Sequence, residues 1–497
     1  MKDSGKLLYA ATFAAVALAV TIGLLAAACK NPANSKTSVS VVPNGWIGAD
    51  DALSVDADGY LRNRKGQELI LRGVNLGGWM LQETWMCAIT GSEANLNTIE
   101  AMENRGWSAA QIQELFDTYQ DNLITVEDFD LLKARGVNSI RLPFWYRNFM
   151  SDANGAWING DNGSSANTKN PGFKRLDWAI TQAKKRGMYI ILDMHGAPGG
   201  QSTNHSSGTI GKNEVYTTAA YEQAAVDLWK ALARRYKNEA TVAAYDLMNE
   251  PQNNSENRTN TDNDWQAGTV RAVHETVRIY DRLYREIRSV DPNTIIMMEG
   301  IWSMNMPDPK LVYTEALDTS QRYSGKRTAW SKNVMYSMHL YDNSEGAISG
   351  RVNELKNARD KWKVAVHIGE FNNDGNGNQA YAYDLYNTNK ISWNMWTYKI
   401  AGANMGNWSL FQSSSRTNVN PNNDSFETIK QGWGTSLRTF TEGTTTPIND
   451  YLITGMNTYF DAGMSHTVSG AFTNSNQSGF PVGGKAGPIL VDDQENL

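Results

Sequence analysis

Eight short apolar runs, each leading into a polar or glycine-containing loop, organise most of this 497-residue chain. Several runs are rich in β-branched or aromatic residues and carry little charge before their C-terminal ends. This pattern is typical of strands that are buried on both faces of a parallel sheet. The runs span residues 69–77, 138–144, 189–196, 242–251, 294–300, 334–341, 364–372 and 391–399.

Helical patterns lie between most of these runs. In residues 172–187, for example, Leu176, Ile180 and Ala183 fall on one helix face. The other candidate helices span residues 218–238, 268–290, 350–362, 379–390 and 425–439. Strand–helix alternation of this kind predicts an α/β fold, a (β/α)8 TIM barrel with elaborated βα loops, and leaves a doubly wound open sheet as the alternative. Turn signals within residues 53–71 predict an N-terminal β-hairpin ahead of the barrel.

Charge and cysteine content exclude several classes of protein. The formal net charge is −6, from 46 basic and 52 acidic residues, so there is no basic excess to neutralise phosphates, and we expect no nucleic-acid partner. The two cysteines, Cys29 and Cys87, exclude a disulfide framework and a cysteine-based zinc or iron–sulfur site.

The N-terminus has the composition of an export signal. Residues 7–28 carry no charge and end in three alanines before Cys29, which predicts a lipoprotein-like signal peptide over residues 1–28. A cleaved secretory signal and a retained membrane anchor are the alternatives. Residues 29–44 are polar and lack periodicity, so we interpret them as a tether. The chain is therefore expected to be exported, either as a cell-surface or periplasmic lipoprotein or as a secreted protein, and to contact a membrane only through this anchor.

Ionisable and aromatic side chains stand at the C-terminal ends of the predicted strands, where a (β/α)8 barrel places its chemistry. They are Arg141, His195, Asn249, Glu250, Glu299, His339, Tyr341, Glu370 and Trp396. Any one of these residues alone would be read as a satisfied polar group. Burying so many of them at one barrel mouth without a function would cost free energy.

Glu250 and Glu370, which end the fourth and seventh runs, are the candidate catalytic pair. Glycoside hydrolysis needs one carboxylic acid to protonate the leaving oxygen, and a second carboxylate to attack the anomeric carbon or to activate water. In a closed barrel, side chains from these two strands can approach the spacing of about 5 Å that gives retention of configuration.

The same residues, taken in order, resemble glycoside hydrolase family 5, within the clan of retaining (β/α)8 glycosidases. The similarity covers roughly residues 66–412. It rests on Arg141, Asp193-Met-His195, Asn249-Glu250-Pro251, His339-Leu-Tyr341, Gly369-Glu370 and Trp396. The stretches 72–79 and 195–201 look most like the β-1,3-glucanase side of the family.

The resemblance implies a role for each member of the pair. Glu250 would be the general acid/base, with a raised pKa, and Glu370 would be the nucleophile, kept ionised by Arg141 beneath it. Tyr341 would donate a hydrogen bond to Glu370 and hold its orientation.

The resemblance also implies a set of substrate-binding residues. Asn249 would hydrogen-bond the sugar 2-hydroxyl, and His195 and His339 would bind sugar hydroxyls or tune the acid. Trp396 would form the floor on which the sugar ring stacks.

These observations predict a monomeric retaining β-glycosidase that acts on a β-linked glucan, of cellulase or β-1,3-glucanase type, without a metal or an organic cofactor. A β-mannanase or other hemicellulase, a transglycosylase, and a surface lipoprotein that binds glycans without cleaving them remain open. We expect the catalytic domain to span residues 45–464. Two long loops, 197–215 and 252–268, are expected at its mouth, and residues 465–497 are expected to form an irregular tail.

Overall fold

The computed structural model describes most of the chain between residues 46 and 442, together with one short segment beyond it. The described residues are 46–134, 136–252, 270–300, 306, 309, 330, 332–372, 378–401, 408–413, 418–435, 439–442 and 471–473. The predicted signal peptide and tether, residues 253–268 of the second long loop, and most of the predicted tail lie outside these residues.

A small antiparallel sheet of three strands precedes the barrel, where the sequence predicted a hairpin. Its strands are β1 (Leu53–Val55), β2 (Leu61–Asn63) and β3 (Glu68–Leu69). The two connections contain Gly59 and Gly66, whose φ angles of 87° and 77° are readily adopted only by glycine. Leu53, Leu61 and Leu69 pack against residues near the starts of the barrel strands, so this sheet covers the N-terminal end of the barrel.

Eight parallel strands then close into a barrel, which confirms the predicted fold. Every strand lies within, or within one residue of, an apolar run identified in the sequence, and β11 pairs with β4 to complete the closure. The strands are β4 (Arg72–Asn75), β5 (Ser139–Trp145), β6 (Tyr189–Gly196), β7 (Val242–Asp246), β8 (Ile295–Glu299), β9 (Val334–Leu340), β10 (Ala365–Phe371) and β11 (Ser392–Met395). All eight strands share one direction, so their C-terminal ends meet at one mouth.

Helices follow the strands and cover the outside of the barrel. They are α1 (Asn95–Asn104), α2 (Ala109–Leu123), α3 (Val126–Ala134), α4 (Pro171–Lys184), α5 (Ala219–Tyr236), α6 (Val270–Arg288), α7 (Glu345–Trp362), α8 (Asn378–Thr388) and α9 (Phe426–Thr435). The six from α4 to α9 correspond to the helical patterns found in the sequence. Local chemistry sets their ends: Asn170 caps α4 by accepting a hydrogen bond from Gly172 N, and Pro171 occupies the first helical turn.

The connection between β4 and β5 contains three helices that the sequence analysis did not predict. A signal was present in α2, where Ile112, Leu115 and Tyr119 recur at helical spacing and are buried. Ser108 and Gln111 form a capping box at the start of that helix.

A second small sheet follows the barrel. It consists of β12 (Lys399–Ile400), β13 (Phe411–Ser413), β14 (Thr439–Glu442) and β15 (Ala471–Thr473), paired in that order. The strand β15 falls in the predicted irregular tail, and it is ordered by antiparallel pairing with β14. The rest of residues 465–497 lies outside the described part of the chain, so the assignment of the tail stays a prediction.

Among the residues that the structure describes, no helix has both the length and the apolar character needed to cross a membrane.

Candidate active site

Arg141 is the centre of a buried charge cluster at the barrel mouth. Its side chain is fully buried, and its guanidinium contacts four carboxylates from four other strands. The distances are 3.0 Å to Asp193 Oδ2, 2.9 Å to Asp246 Oδ2, 2.8 Å to Glu299 Oε1 and 2.8 Å to Glu370 Oε1. Burial opposes the charged form, but the carboxylates outweigh it and raise the pKa of Arg141. A permanent cation is therefore fixed beneath the candidate nucleophile.

Glu370, near the end of β10, is held from two sides. Arg141 Nη1 donates to Oε1 at 2.8 Å, and the Tyr341 hydroxyl donates to Oε2 at 2.8 Å, a contact that the family resemblance implied. Burial raises the pKa of Glu370, and the neighbouring Glu250 adds to this, whereas the charges of His339 and Arg141 lower it. Arg141 and His339 therefore offset part of the effect of burial on this carboxyl group.

Glu250 follows β7 in an unusual backbone conformation. Its φ angle is 39°, in the left-handed region that side-chain-bearing residues rarely adopt. Its backbone N–H donates to Glu299 Oε2 at 2.7 Å, and its Oε1 lies 2.8 Å from His339 Nδ1. One carboxylate oxygen of Glu250 and one of Glu370 lie within 4.8 Å of each other. The two candidate catalytic carboxylates therefore share one site.

His339 lies between carboxylates on both edges of its ring. Nδ1 is 2.8 Å from Glu250 Oε1 and 3.4 Å from Glu370 Oε2, and Nε2 is 3.2 Å from Glu299 Oε1. Burial alone would lower its pKa, but Glu299 and Glu370 outweigh burial and raise the pKa of His339 well above its ordinary value. This places a second cation next to Glu250, and the role of His339 toward the acid/base stays a prediction.

Asn249 is positioned by the cluster below it and by the loop above it. Its Oδ1 accepts a hydrogen bond from Arg141 Nη2 at 2.8 Å. Gln201, from the long loop 197–215, donates from Nε2 to the carbonyl oxygens of His195 and Asn249 at 2.8 and 2.9 Å. This part of the loop therefore braces the site.

His195 and Trp396 form a stacked pair at the mouth. The ring centroids are 5.3 Å apart with an interplanar angle of 11°, and His195 Nδ1 lies 2.7 Å from Asp193 Oδ2. Burial lowers the pKa of His195, but Asp193 outweighs it and raises the pKa overall. Trp396 is almost fully buried, and the peptide bond that follows it, to Thr397, is cis. All eight residues to which the resemblance gives a role are thus brought together, while their roles toward a sugar remain predictions.

A rim of further aromatic and charged residues, which includes Trp85, continues from Tyr341. Its ring packs against Trp408, which in turn meets Trp85 edge-on, with centroid distances of 5.7 and 5.5 Å. Trp85 Nε1 donates to Glu83 Oε2 at 2.8 Å, and His205 Nε2 lies 3.2 Å from the same oxygen. Glu83 and Trp408 lie in loops without a strand-end signal.

Trp79, Trp145 and Trp302, like Trp85, follow strand runs in the sequence, which makes them candidates for further sugar subsites, but the first two pack in the core. Trp79 is fully buried, and its Nε1 donates to Gln120 O at 2.9 Å, while Trp145 is almost fully buried. Trp302 lies outside the described residues.

Glu250, His339 and Glu370 also form the kind of group that can hold a metal ion. The 2.8 Å approach of His339 Nδ1 to Glu250 Oε1 uses atoms that a cation would need. A hydrogen bond between the His339 imidazole and the Glu250 carboxylate accounts for this geometry. The absence of a metal requirement stays a prediction.

Comparisons with known proteins also indicate a glycoside hydrolase. The family described as cellulase (glycosyl hydrolase family 5) matches residues 89–402. A beta-xylosidase of Phanerodontia chrysosporium is 27% identical over 373 residues, which are 68% of this chain and 69% of that protein. A probable glucan 1,3-beta-glucosidase A of Aspergillus niger is 31% identical over 188 residues, 37% of this chain and 41% of that relative. This chain thus spans less than half the length of that glucosidase.

Among solved structures, the rutinosidase from Aspergillus niger is similar, with a TM-score of 0.48 and 19% identity over 68% of this chain and 91% of that one. The family match extends across more than half of the chain and over most of the barrel, and it includes the strand ends that carry both candidate catalytic carboxylates. The chain belongs to glycoside hydrolase family 5.

Proposed function

We propose that this protein hydrolyses O-glycosidic bonds of a β-linked glucan by a retaining, double-displacement mechanism. The approach of Glu250 and Glu370 to within 4.8 Å is the observation that supports it most directly. Retaining glycosidases hold their two carboxyl groups about 5 to 5.5 Å apart, whereas inverting enzymes need about 6.5 to 9.5 Å to admit a water molecule.

In the first step, a carboxylate oxygen of Glu370 attacks the anomeric carbon, and the bond to the leaving oxygen breaks. Glu250 transfers its proton to that oxygen, so the products are a glycosyl ester on Glu370 and a free alcohol. Arg141 and Tyr341 hold the Glu370 oxygens, at 2.8 Å each, and fix the direction of attack.

In the second step, the ionised Glu250 takes a proton from water, and the resulting hydroxide attacks the same carbon. The ester bond to Glu370 breaks, which restores both carboxyl groups and keeps the original anomeric configuration. An acceptor sugar in place of water would give transglycosylation through the same intermediate.

The substrate class is supported by the shape and chemistry of the rim. Trp85 and Trp408 offer aromatic faces beside the site, and the buried Glu83 carboxylate accepts hydrogen bonds of the kind that sugar hydroxyls donate. The similar proteins are named as a β-1,3-glucosidase and a β-xylosidase, so β-glucan is the first choice of substrate and a hemicellulose is the second.

The test is release of reducing sugar from β-1,3-glucan, mixed-linkage glucan, carboxymethylcellulose, xylan and mannan, with Glu370→Gln as the matched control. We expect release from one glucan, and none from the control. Release from mannan or xylan alone would move the substrate to the second choice. Binding without release from any of these polymers, by a folded protein, would favour a non-catalytic glycan receptor.

We further propose that the protein is an exported monomer anchored through a lipid on Cys29. The apolar segment 7–28 directly before this cysteine supports the proposal. Radiolabelled palmitate should label the wild-type protein in cells and should not label Cys29→Ser. Labelling of neither protein, with the chain found free in the medium, would favour the secreted alternative.

A further inference from the structure

Glu299 is a fully buried carboxylate at the end of β8 for which the double-displacement scheme has no role. Both of its oxygens are occupied. Oε1 accepts a hydrogen bond from Arg141 Nη2 at 2.8 Å and lies 3.2 Å from His339 Nε2. Oε2 accepts the backbone N–H of Glu250 at 2.7 Å. The Glu299 side chain therefore contacts the backbone of Glu250, the candidate acid/base, and also His339, which faces the Glu250 carboxylate.

Neutralising Arg141 does not require this fourth carboxylate. Asp193, Asp246 and Glu370 already surround the guanidinium at 2.8 to 3.0 Å. An additional buried anion costs free energy unless its directed contacts compensate for lost hydration. Among the described residues, Asp246 accepts a side-chain hydrogen bond only from Arg141 Nε, and the contacts that distinguish Glu299 from it are those to Glu250 and His339.

The contact to the backbone of Glu250 stabilises an uncommon conformation. A non-glycine residue at a φ of 39° is strained, and it persists only where its surroundings hold it. The 2.7 Å hydrogen bond to Glu299 fixes the N–H of that residue. It therefore fixes the direction in which the Glu250 side chain leaves the strand end.

The contact to His339 orients the other partner of Glu250. With Nε2 facing Glu299 and Nδ1 facing Glu250, the imidazole ring is held at both ends. Nδ1 of His339 is hydrogen-bonded to Oε1 of Glu250. Among the described residues, Oε2 of Glu250 takes part in no hydrogen bond.

We propose that Glu299 is the positioning residue of the acid/base Glu250, which it holds through the backbone N–H and through His339. This inference rests on the proposed function. It assigns to Glu299 a task that differs from charge balance, because it acts on leaving-group protonation rather than on nucleophilic attack.

The test compares kcat/KM for two substrates that share a sugar and differ in leaving group. One is the oligosaccharide that the protein cleaves, and the other is the 2,4-dinitrophenyl β-glycoside, whose leaving group needs no proton. General-acid assistance is worth about 10²- to 10⁴-fold, so partial misplacement should cost about 10- to 100-fold. We expect Glu299→Gln, assayed at a pH above the acidic limb of its own pH–rate profile so that Glu370 is ionised, to lower kcat/KM by that factor on the oligosaccharide and by less than about threefold on the aryl glycoside.

Asp246→Asn is the matched control, because it removes a buried carboxylate of the same cluster that has no contact with Glu250. Asp246→Asn should change kcat/KM for both substrates by the same factor. If Glu299→Gln also changes kcat/KM for the two substrates equally, Glu299 has only a structural role and the proposal is wrong. If Glu299→Gln does not fold, Glu299→Asp, which keeps the charge but is one methylene shorter, should show the same selectivity between substrates.

A double-variant cycle separates this inference from the proposed function. In a Glu250→Ala background, Glu299→Gln should cost no further activity on the oligosaccharide, because the group that it positions is gone. Additive losses would overturn the positioning role. If Glu250→Ala itself lowers kcat/KM equally for both substrates, the acid/base assignment of Glu250 is wrong. That result is distinct from one that contradicts only the positioning role of Glu299.

Discussion

His339 and His367 lie on the neighbouring strands β9 and β10 and are equally buried, yet their pKa values shift in opposite directions. His339, at the mouth, faces Glu250, Glu299 and Glu370, which outweigh burial and raise its pKa well above the ordinary value. For His367, deeper in the barrel, burial is the largest cause and lowers the pKa to about 3.

The neighbours of His367 explain this difference. Nε2 lies 2.8 Å from Asn394 Oδ1, and Nδ1 lies 3.1 Å from Ser337 Oγ. Asn394 donates from Nδ2 to Val74 O, so its Oδ1 accepts from Nε2–H, and the Ser337 hydroxyl can donate to Nδ1. Neutral partners satisfy a neutral ring, whereas the carboxylates at the mouth require a charged one. Burial is the same in the two regions, and the partners decide the charge.

The largest effect should come from the mouth. Glu370→Gln keeps the shape of the side chain but removes the proposed nucleophile, so we expect kcat to fall by about 10⁴-fold or more. Thermal unfolding of the variant should stay close to that of the wild type, because a buried carboxylate is removed rather than created. A variant that keeps most of its activity would contradict the assignment of Glu370.

The second effect concerns the acid/base. Glu250→Ala should lower kcat/KM by about 10²- to 10⁴-fold on the natural glucan and much less on substrates with good leaving groups. Added azide should restore turnover of activated substrates by replacing water, with a glycosyl azide as product. Full activity on natural glucan without azide rescue would exclude Glu250 from this role.

The third effect concerns His367, in the barrel interior, and the pH dependence of the free energy of unfolding. Because the pKa of His367 is about 3 when folded and about 6.5 when unfolded, the unfolded chain binds the proton more strongly between these values. The contribution of His367 is therefore fully present above pH 6.5 and is lost as the pH falls toward 3, by at most about 1.4 kcal/mol for each pH unit.

His367→Gln removes this titration while keeping groups that can face Ser337 and Asn394. The Tm of the wild type should fall more steeply than that of the variant between pH 6.5 and 4, as followed by circular dichroism. Parallel curves would show that His367 is not the buried neutral group that its contacts indicate.

The smallest effect is a shift of the pH–rate profile when the mouth loses its histidine charge. The charge of His339 lowers the pKa of Glu370, and Glu370 must be ionised to attack, so His339→Gln should raise this pKa. The acidic limb of kcat/KM should then move to higher pH. An unchanged acidic limb would show that His339 does not influence the nucleophile.

The barrel was predictable because its strands are buried on both faces and therefore appear as uninterrupted apolar runs. Residues 189–196 coincide with β6, and the polar residues that follow such runs, including Glu250 and Glu370, meet at the mouth. Strand order alone makes that convergence necessary in a closed barrel.

Contacts that depend on loops and on side-chain direction were not predictable in this way. Glu83 and Trp408 reach the rim from connections that have no periodicity, and the role of Glu299 depends on which groups its two oxygens meet. The contrast between His339 and His367 has the same origin, because a sequence shows the type of a residue but not the partners that set its charge.

The most direct test of the double-displacement account is to trap the covalent intermediate. The protein would be incubated with the 2,4-dinitrophenyl 2-deoxy-2-fluoro-β-glycoside of the sugar that it releases, and then digested and analysed by mass spectrometry. The account predicts one fluoroglycosyl group per chain, on the peptide that contains Glu370, and none on Glu370→Gln. A label on another carboxylate, or first-formed products of inverted configuration from an active enzyme that takes up no label, would contradict it.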